Sequence, residues 1–446
     1  MKPLSCIYVP IGVPTFHMPS AQAEFEKSVA LLKHYEPNVI VPENILLSIP
    51  DLQAYLENQQ PDLIILQNIT FANSAYATEV FKRFDVPILL WTLSEPVIDG
   101  NRLRLNSLTG AFSAGFAYHA MHSRPLHYTI GSTDDDQVKT TLNTVIQAAK
   151  VKKALESVNL LMIGHTPQGF GFGRALDLEM ASTFGVNLLA IESRELTQVA
   201  KAMSVDDIKE ESKLAHDHLV NLNKTPDKNR IDFIKLFKAY KDYIDTHNIH
   251  AIASRCWPDF FTDYGTPVCG VLGLLNDAKI AAACEADAYG ALSMLIGQML
   301  SNEATYLGDP VSIDKTENTI TFWHCGTSAC TLAHPKTGAT VGVHPNRQIG
   351  PTMEFGLKAH STGTIFRIGR KPDGSFRFFI QSCEILDKPQ QFFGTSVVTR
   401  IAQPVETLIS TLVKEGFEPH YVVVYDAIEK QLIALAEMLN LEVCKY

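Results

Sequence analysis

The chain has 446 residues, enough for two to four domains of ordinary size, with three as the central expectation. Hydrophobic residues make up 46% and charged residues 19%, which supplies packed cores and excludes a disordered chain. A net charge of −10 with no basic run argues against nucleic-acid binding, yet leaves room for a small anionic ligand met by two or three local cations.

The apolar start is broken by Pro10 and Pro14, too early for a signal-peptide core. The most apolar region, residues 268–300, carries Asp277, Lys279, Glu285 and Asp287, so no run reaches the ~18 apolar residues of a membrane span. A soluble, cytoplasmic protein with no membrane partner is expected. The eight cysteines form no C-x-x-C pair, and Cys325 with Cys330 makes a lone C-x4-C, so reduced and mostly buried thiols are expected rather than a zinc ribbon.

In chain order, residues 6–13 read as a short strand and 21–33 as a helix with Phe25, Val29 and Leu32 on one face. Strands follow at 38–41, 62–67 and 87–91, with helices at 51–57 and 74–84 between them. That alternation implies a parallel sheet covered on both faces. A polar stretch, 129–137, leads into a helix from 138 to about 155. A second alternating series begins with a strand at 158–163, then a glycine-rich loop, a helix to 184 and a strand at 186–191. Residues 224–230 read as a turn before the helix 231–244, and 250–254 and 279–284 as strands. Beyond residue 300 short β-rich runs appear at 319–323, 339–343, 363–368 and 376–380, separated by turns such as Asp373-Gly374. They predict an antiparallel sheet or small barrel. A helix at 404–415, a strand at 421–425 and a helix at 429–439 close the chain. The expected fold is α/β: a Rossmann-like parallel-sheet domain over 1–155, a second over 156–300 carrying Glu285, and a β-rich C-terminal domain over 301–446 carrying Asp309 and His420.

Several features carry chemistry. Gly169-Phe170-Gly171-Phe172-Gly173-Arg174 stands where a dinucleotide loop would sit, with Glu192 near the expected ribose-binding acid. The spacing is G-x-G-x-G with Arg174 in place of the third glycine, so a tight turn, or one bringing backbone close to a sugar or phosphate, is the better reading. Glu285 closes an apolar strand and opens the apolar helix 288–300. A carboxylate there needs a metal or cation partner, unless it or Asp287 simply caps the helix. Asp309 lies 24 residues on, within reach of a return strand, and two carboxylates from neighbouring element ends commonly hold Mg2+ or Mn2+. His420, before the strand YVVVY, is a candidate third ligand, and His324, after TFW, a fourth. Arg255 and Trp257 end a parallel strand, where α/β ligand sites form; an arginine salt bridge and a packed indole would look the same.

At these residues the sequence resembles the L-fucose/L-arabinose isomerase superfamily. Glu285 in CEADAYGALSML is similar to the family's first metal carboxylate, Asp309 to the second, and His420 to the C-terminal histidine ligand. His324 falls about where arabinose isomerases have a further histidine. Tyr421 and Pro419 flank a single histidine where members often have two, and the C-terminal domain is short. The resemblance implies a homo-oligomeric, metal-dependent aldose–ketose isomerase of a monosaccharide, working through a cis-enediolate. It implies that Glu285, Asp309 and His420 hold Mn2+ or another divalent cation, and that Glu285 and Asp309 handle the proton. Arg255, Trp257 and His324 would orient the sugar, His324 as ligand or hydrogen-bond donor, while Gln67 and Asn106 would reach a neighbouring subunit's site. Two alternatives stand beside this: the substrate bears a sulfonate or phosphate met by Arg174, Arg255 or Arg347, or the protein binds sugar without catalysis.

Overall fold

Strands Cys6–Ile11 (β1), Leu63–Asn68 (β2) and Ile88–Thr92 (β3) are buried at every residue, as strands covered on both faces must be. With His127–Ile130 (β4) they form a parallel sheet in the order β1-β2-β3-β4. The strand expected at 38–41 is reduced to isolated bridges from Ile40 and Leu46 to the free edge of β1. Pro42 lies between them and has no N–H to continue a ladder. A helix at Ser107–Met121, absent from the sequence reading, precedes β4. The computed structural model describes residues 3–446. It divides the chain into one unit ending at Ala154, joined by Lys430–Asn440, and a second of Leu155–Glu429 with Leu441–Tyr446.

Within the second unit, Asn159–Ile163 (β5), Asn187–Ile191 (β6), Ala251–Ser254 (β7) and Ala281–Cys284 (β8) form a parallel sheet in the order β6-β5-β7-β8. The carboxyl ends of β5, β7 and β8 deliver Gly164, Arg255 and Glu285 to one rim, where ligands bind in open α/β sheets. The β-rich part contains Tyr306–Asp314 (β9), Thr319–His324 (β10), Val341–Gly342 (β11), Thr352–Met353 (β12), Phe355–Gly356 (β13), His360–Arg370 (β14), Phe376–Ile385 (β15), Thr395–Arg400 (β16), Tyr421–Val424 (β17) and Glu442–Lys445 (β18). Eight of these strands form one sheet in the order β13-β16-β10-β9-β17-β14-β15-β18, and β15 also pairs with β16. That last pairing closes β16, β10, β9, β17, β14 and β15 into an antiparallel ring, a small barrel flanked by parallel β13 and β18.

The helix Ala288–Ser301 explains its own sequence. Every residue from Ala288 to Gln298 is buried, because the helix packs on β7 and β8 on one side and on β14 and β17 on the other. A helix apolar all round is what such a position demands. Among the described residues no helix is long and apolar enough to cross a membrane.

Candidate active site

The site grows from the turn between β8 and this helix. Glu285 and Ala286 both adopt left-handed backbone, φ 60° and 54°, which L-residues take only under constraint. Hydrogen bonds from Ala286 N to Ser254 O (3.0 Å) and from Asp287 N to Cys284 O (3.2 Å) pin the turn. Asp287 then caps the helix, its Oδ1 accepting from Gly290 N at 2.9 Å. The expected cap is therefore present, and Asp287 does more. Fully buried, it also accepts from Arg367 through Nη1 (2.5 Å) and Nη2 (3.0 Å), and its Oδ2 faces His420 Nδ1 at 2.8 Å.

The barrel brings the other groups. β17 runs antiparallel to β9 with Tyr421 opposite Gly308, so His420 stands across from Asp309. β10 pairs Trp323 with Asp309, so His324 ends its strand beside them. His420 Nε2 lies 3.0 Å from Glu285 Oε2 and 3.3 Å from Asp309 Oδ1. Ligand atoms of Glu285, His324 and His420 all lie within 4.8 Å of one another. Glu285, Asp309, His324 and His420 thus converge from both layers of one unit.

Charge follows contact. Burial opposes charge on His420, but Asp287 and Glu285 outweigh it and push its pKa up to about 10. Burial works against the Glu285 carboxylate too, yet His420 lowers its pKa overall. For Asp309 burial wins and raises it. In Asp287 the Arg367 guanidinium and His420 overcome burial and hold the carboxyl well below its usual range.

These donors fit a hard divalent cation. Cis ligands about 2.1–2.2 Å from an octahedral ion stand about 3 Å apart, as His420 Nε2 stands from both carboxylates. With Nδ1–H committed to Asp287, a cation that displaced the Nε2 proton would meet an Nε2 lone pair beside the carboxylates, the carboxylate–histidine arrangement typical of metal ligands. His324 differs. Its Nδ1 accepts from Cys325 N at 2.9 Å, so a neutral ring carries its proton on Nε2, which is buried without a partner. That tautomer is a donor aimed into the site.

The remaining candidates are placed as follows. The Trp257 indole stands near enough to Glu285 to help favour its charged form. Arg255 turns back on its own loop, Nε donating to Trp257 O at 3.1 Å and facing Asp259 Oδ2 at 3.3 Å. Gln67 and Asn106 belong to the first unit. Gln67 is buried and accepts from the Tyr8 hydroxyl, while Asn106 precedes the helix Ser107–Met121 at φ 56° without bonding its backbone and accepts from Thr109 Oγ1 at 2.7 Å. The glycine loop forms a single 3-10 turn, Gly171–Gly173, and the following helix starts only at Asp177. A Cβ on Gly173 would lie 2.8 Å from Asp287 Cα, so glycine is required by close packing on the site. Phe172 sets its ring edge-on to His420, centroids 5.1 Å apart. Glu192 begins the helix Ser193–Ala202, its backbone N–H donating to Glu195 Oε1 at 3.0 Å. A cavity of about 820 Å3 lies next to the Asp309 partner Trp323, which lines it with Val311, Pro345, Glu354 and Phe393. Sequence reasoning missed Arg367, Phe172 and the second role of Asp287. An arginine inside the buried strand β14 was the available signal for the first.

Within the second unit, an α/β sheet and a barrel meet at a carboxylate–histidine cluster, the construction of a sugar isomerase. Residues 344–446 match the family model of the L-fucose isomerase C-terminal domain. The chain is 52% identical over 442 residues to a sulfoquinovose isomerase of Clostridium sp. (strain MSTE9), covering 99% of both chains. It is 36% identical to the sulfoquinovose isomerases of Priestia aryabhattai, over 100% of both chains, and of Alkalicoccus urumqiensis, over 99% of both. The chain belongs to the fucose isomerase-like sugar isomerases. It is an aldose–ketose isomerase of a monosaccharide.

Proposed function

We propose that this chain isomerises sulfoquinovose, a six-carbon aldose carrying a sulfonate, to the corresponding ketose with the help of a divalent cation such as Mn2+. The observation that carries the substrate is end-to-end similarity to sulfoquinovose isomerases, at 52% identity in one case. The anionic-sugar alternative thereby becomes the leading one.

Glu285, Asp309 and His420 would hold the cation. When bound, it would supply a Lewis acid that stabilises negative charge developing on the two reacting sugar oxygens. Glu285 and Asp309 are the carboxylates able to take the proton from C2 and return one to C1. His420 is kept in one tautomer by Asp287. The His324 Nε2–H is directed to donate to a sugar oxygen, which favours the donor role over the ligand role. Trp257 steadies Glu285, and Arg255 braces the Trp257 loop. Phe172 and its loop exclude water from the His420 side.

Homo-oligomers fit the first unit. Leu108, Phe112 and Phe116 recur every four residues on the helix Ser107–Met121 and are exposed, Phe116 at 81%. A stripe of that kind suits a second copy of the chain, and Asn106 stands at its start. Free cysteines throughout the described residues suit a reducing compartment such as the cytoplasm.

The test is turnover of sulfoquinovose, 6-deoxyglucose, fucose and arabinose by metal-loaded protein. Sulfoquinovose should give the highest kcat/KM. A neutral sugar ahead of it by tenfold or more would sink the proposal.

A further inference from the structure

A sulfonate needs a cation that the protein itself has not already neutralised. Arg174 is exposed on the glycine loop and has no aromatic support, and Arg255 is taken up by Asp259 and the Trp257 carbonyl. Arg347 differs from both. It follows His344 on a turn closed by its own N–H to His344 O at 3.2 Å. Its guanidinium carbon lies 5.1 Å from the Trp257 ring centroid and 5.2 Å from that of Phe261. Phe261 is in turn held edge-on by the buried His344, centroids 5.0 Å apart. Among the described residues no carboxylate pairs with Arg347.

Such an arginine is prepared for an anion. Ring faces fix the guanidinium and attract its charge, while its N–H groups lie in the plane and remain free to donate. Sulfonate offers coplanar oxygen pairs that a guanidinium meets bidentately, as it meets carboxylate and phosphate. Position matches chemistry. Trp257 carries Arg347 on its ring, and the same indole stands near enough to Glu285 to favour its charged form. The indole therefore lies between carboxylate and guanidinium, an interval on the order of 10 Å from the 5.1 Å stack, the ring and a polar contact. A hexose placing C1 and C2 near Glu285 carries its C6 substituent a comparable distance away.

We propose that Arg347 is the residue that binds the sulfonate and selects the sulfonated sugar over its neutral counterpart. This rests on the reading of the chain as a sulfoquinovose isomerase. Trp257 then serves both ends of the substrate, orienting Glu285 at one and the guanidinium at the other.

The experiment measures Kd for sulfoquinovose and for 6-deoxyglucose by calorimetry on Mn2+-loaded protein, with turnover assayed in the same samples. Wild type is compared with Arg347→Met and Arg347→Lys. The preference for the sulfonated sugar should fall about hundredfold in the methionine variant and about tenfold in the lysine variant, which keeps the charge and loses the fork. A preference within about threefold of wild type in Arg347→Met overturns the assignment while leaving the isomerase reading intact. If that variant does not fold, an unchanged preference in Arg347→Lys does the same. Wild type that binds sulfoquinovose preferentially but does not turn it over contradicts the isomerase reading and leaves Arg347 as the anchor. No binding of sulfoquinovose removes both.

Discussion

Asp287→Asn changes one atom at the point where fold and chemistry meet. The carboxylate accepts from Gly290 N and Arg367 Nη2 at Oδ1, and takes Arg367 Nη1 and His420 Nδ1 at Oδ2. An asparagine keeps the first pair by presenting its carbonyl there. Its amide then faces Arg367 and His420, donor against donor. The amide N–H can satisfy His420 only if Nδ1 gives up its proton, which leaves the ring's remaining proton on Nε2, where Glu285 and Asp309 stand 3.0 and 3.3 Å away. Losing the partner that orients a ligating histidine typically costs about 10–100-fold in metal affinity. Arg367, buried completely, loses its counter-charge at the same time, and breaking such a pair costs about 3–5 kcal/mol. The assay is activity against Mn2+ concentration, with Tm recorded on the same protein. The half-saturating Mn2+ should rise at least tenfold, and Tm should drop. A drop in Tm with the Mn2+ requirement unchanged would show that Asp287 is only structural. No change in either would refute the account of the cluster.

Further outcomes are expected. Arg367→Met leaves the Asp287 anion buried beside His420 alone and should destabilise the protein by about 3–5 kcal/mol, read by denaturant unfolding; a change under 1 kcal/mol would contradict it. Gly173→Ala drives a methyl against the Asp287 backbone at 2.8 Å and should cost about 1–3 kcal/mol, with activity falling as Phe172 leaves His420; unaltered activity and stability would deny the loop its role. Phe112→Glu with Phe116→Glu should lower the oligomer mass seen by light scattering while leaving the circular dichroism unchanged. An unchanged mass would place the subunit contact elsewhere.

Much of the site was legible in the sequence because its parts carry local signals. Glu285 at the end of AAAC and before an all-apolar helix is a carboxylate in an expensive position, readable without a fold. The alternation of strand and helix to residue 284 gave both parallel sheets. The pairings that create the site are not local. His420 faces Asp309 because β17 lies beside β9, over a hundred residues earlier, and register across that gap leaves no sequence period. β16, which closes the barrel, was missed, although Thr395–Arg400 is rich in β-branched residues. The helix Ser107–Met121 escaped notice because Gly110 and Gly115 weaken its propensity and its exposed phenylalanines blur the apolar face. Asp287 was legible as a cap and not as the partner of Arg367 and His420, since one carboxylate can do all three only when helix, β14 and β17 meet.

On the proposed function, the carboxylates gathered around His420 interconvert a sulfonated aldose and its ketose. The most direct measurement follows ketose formation from sulfoquinovose by NMR, with Mn2+ present, for wild type and Glu285→Gln. Wild type should form the ketose, and the variant should be slower by about a hundredfold or more while remaining folded. A wild type that forms none, or a folded Glu285→Gln protein that matches it, would contradict the account.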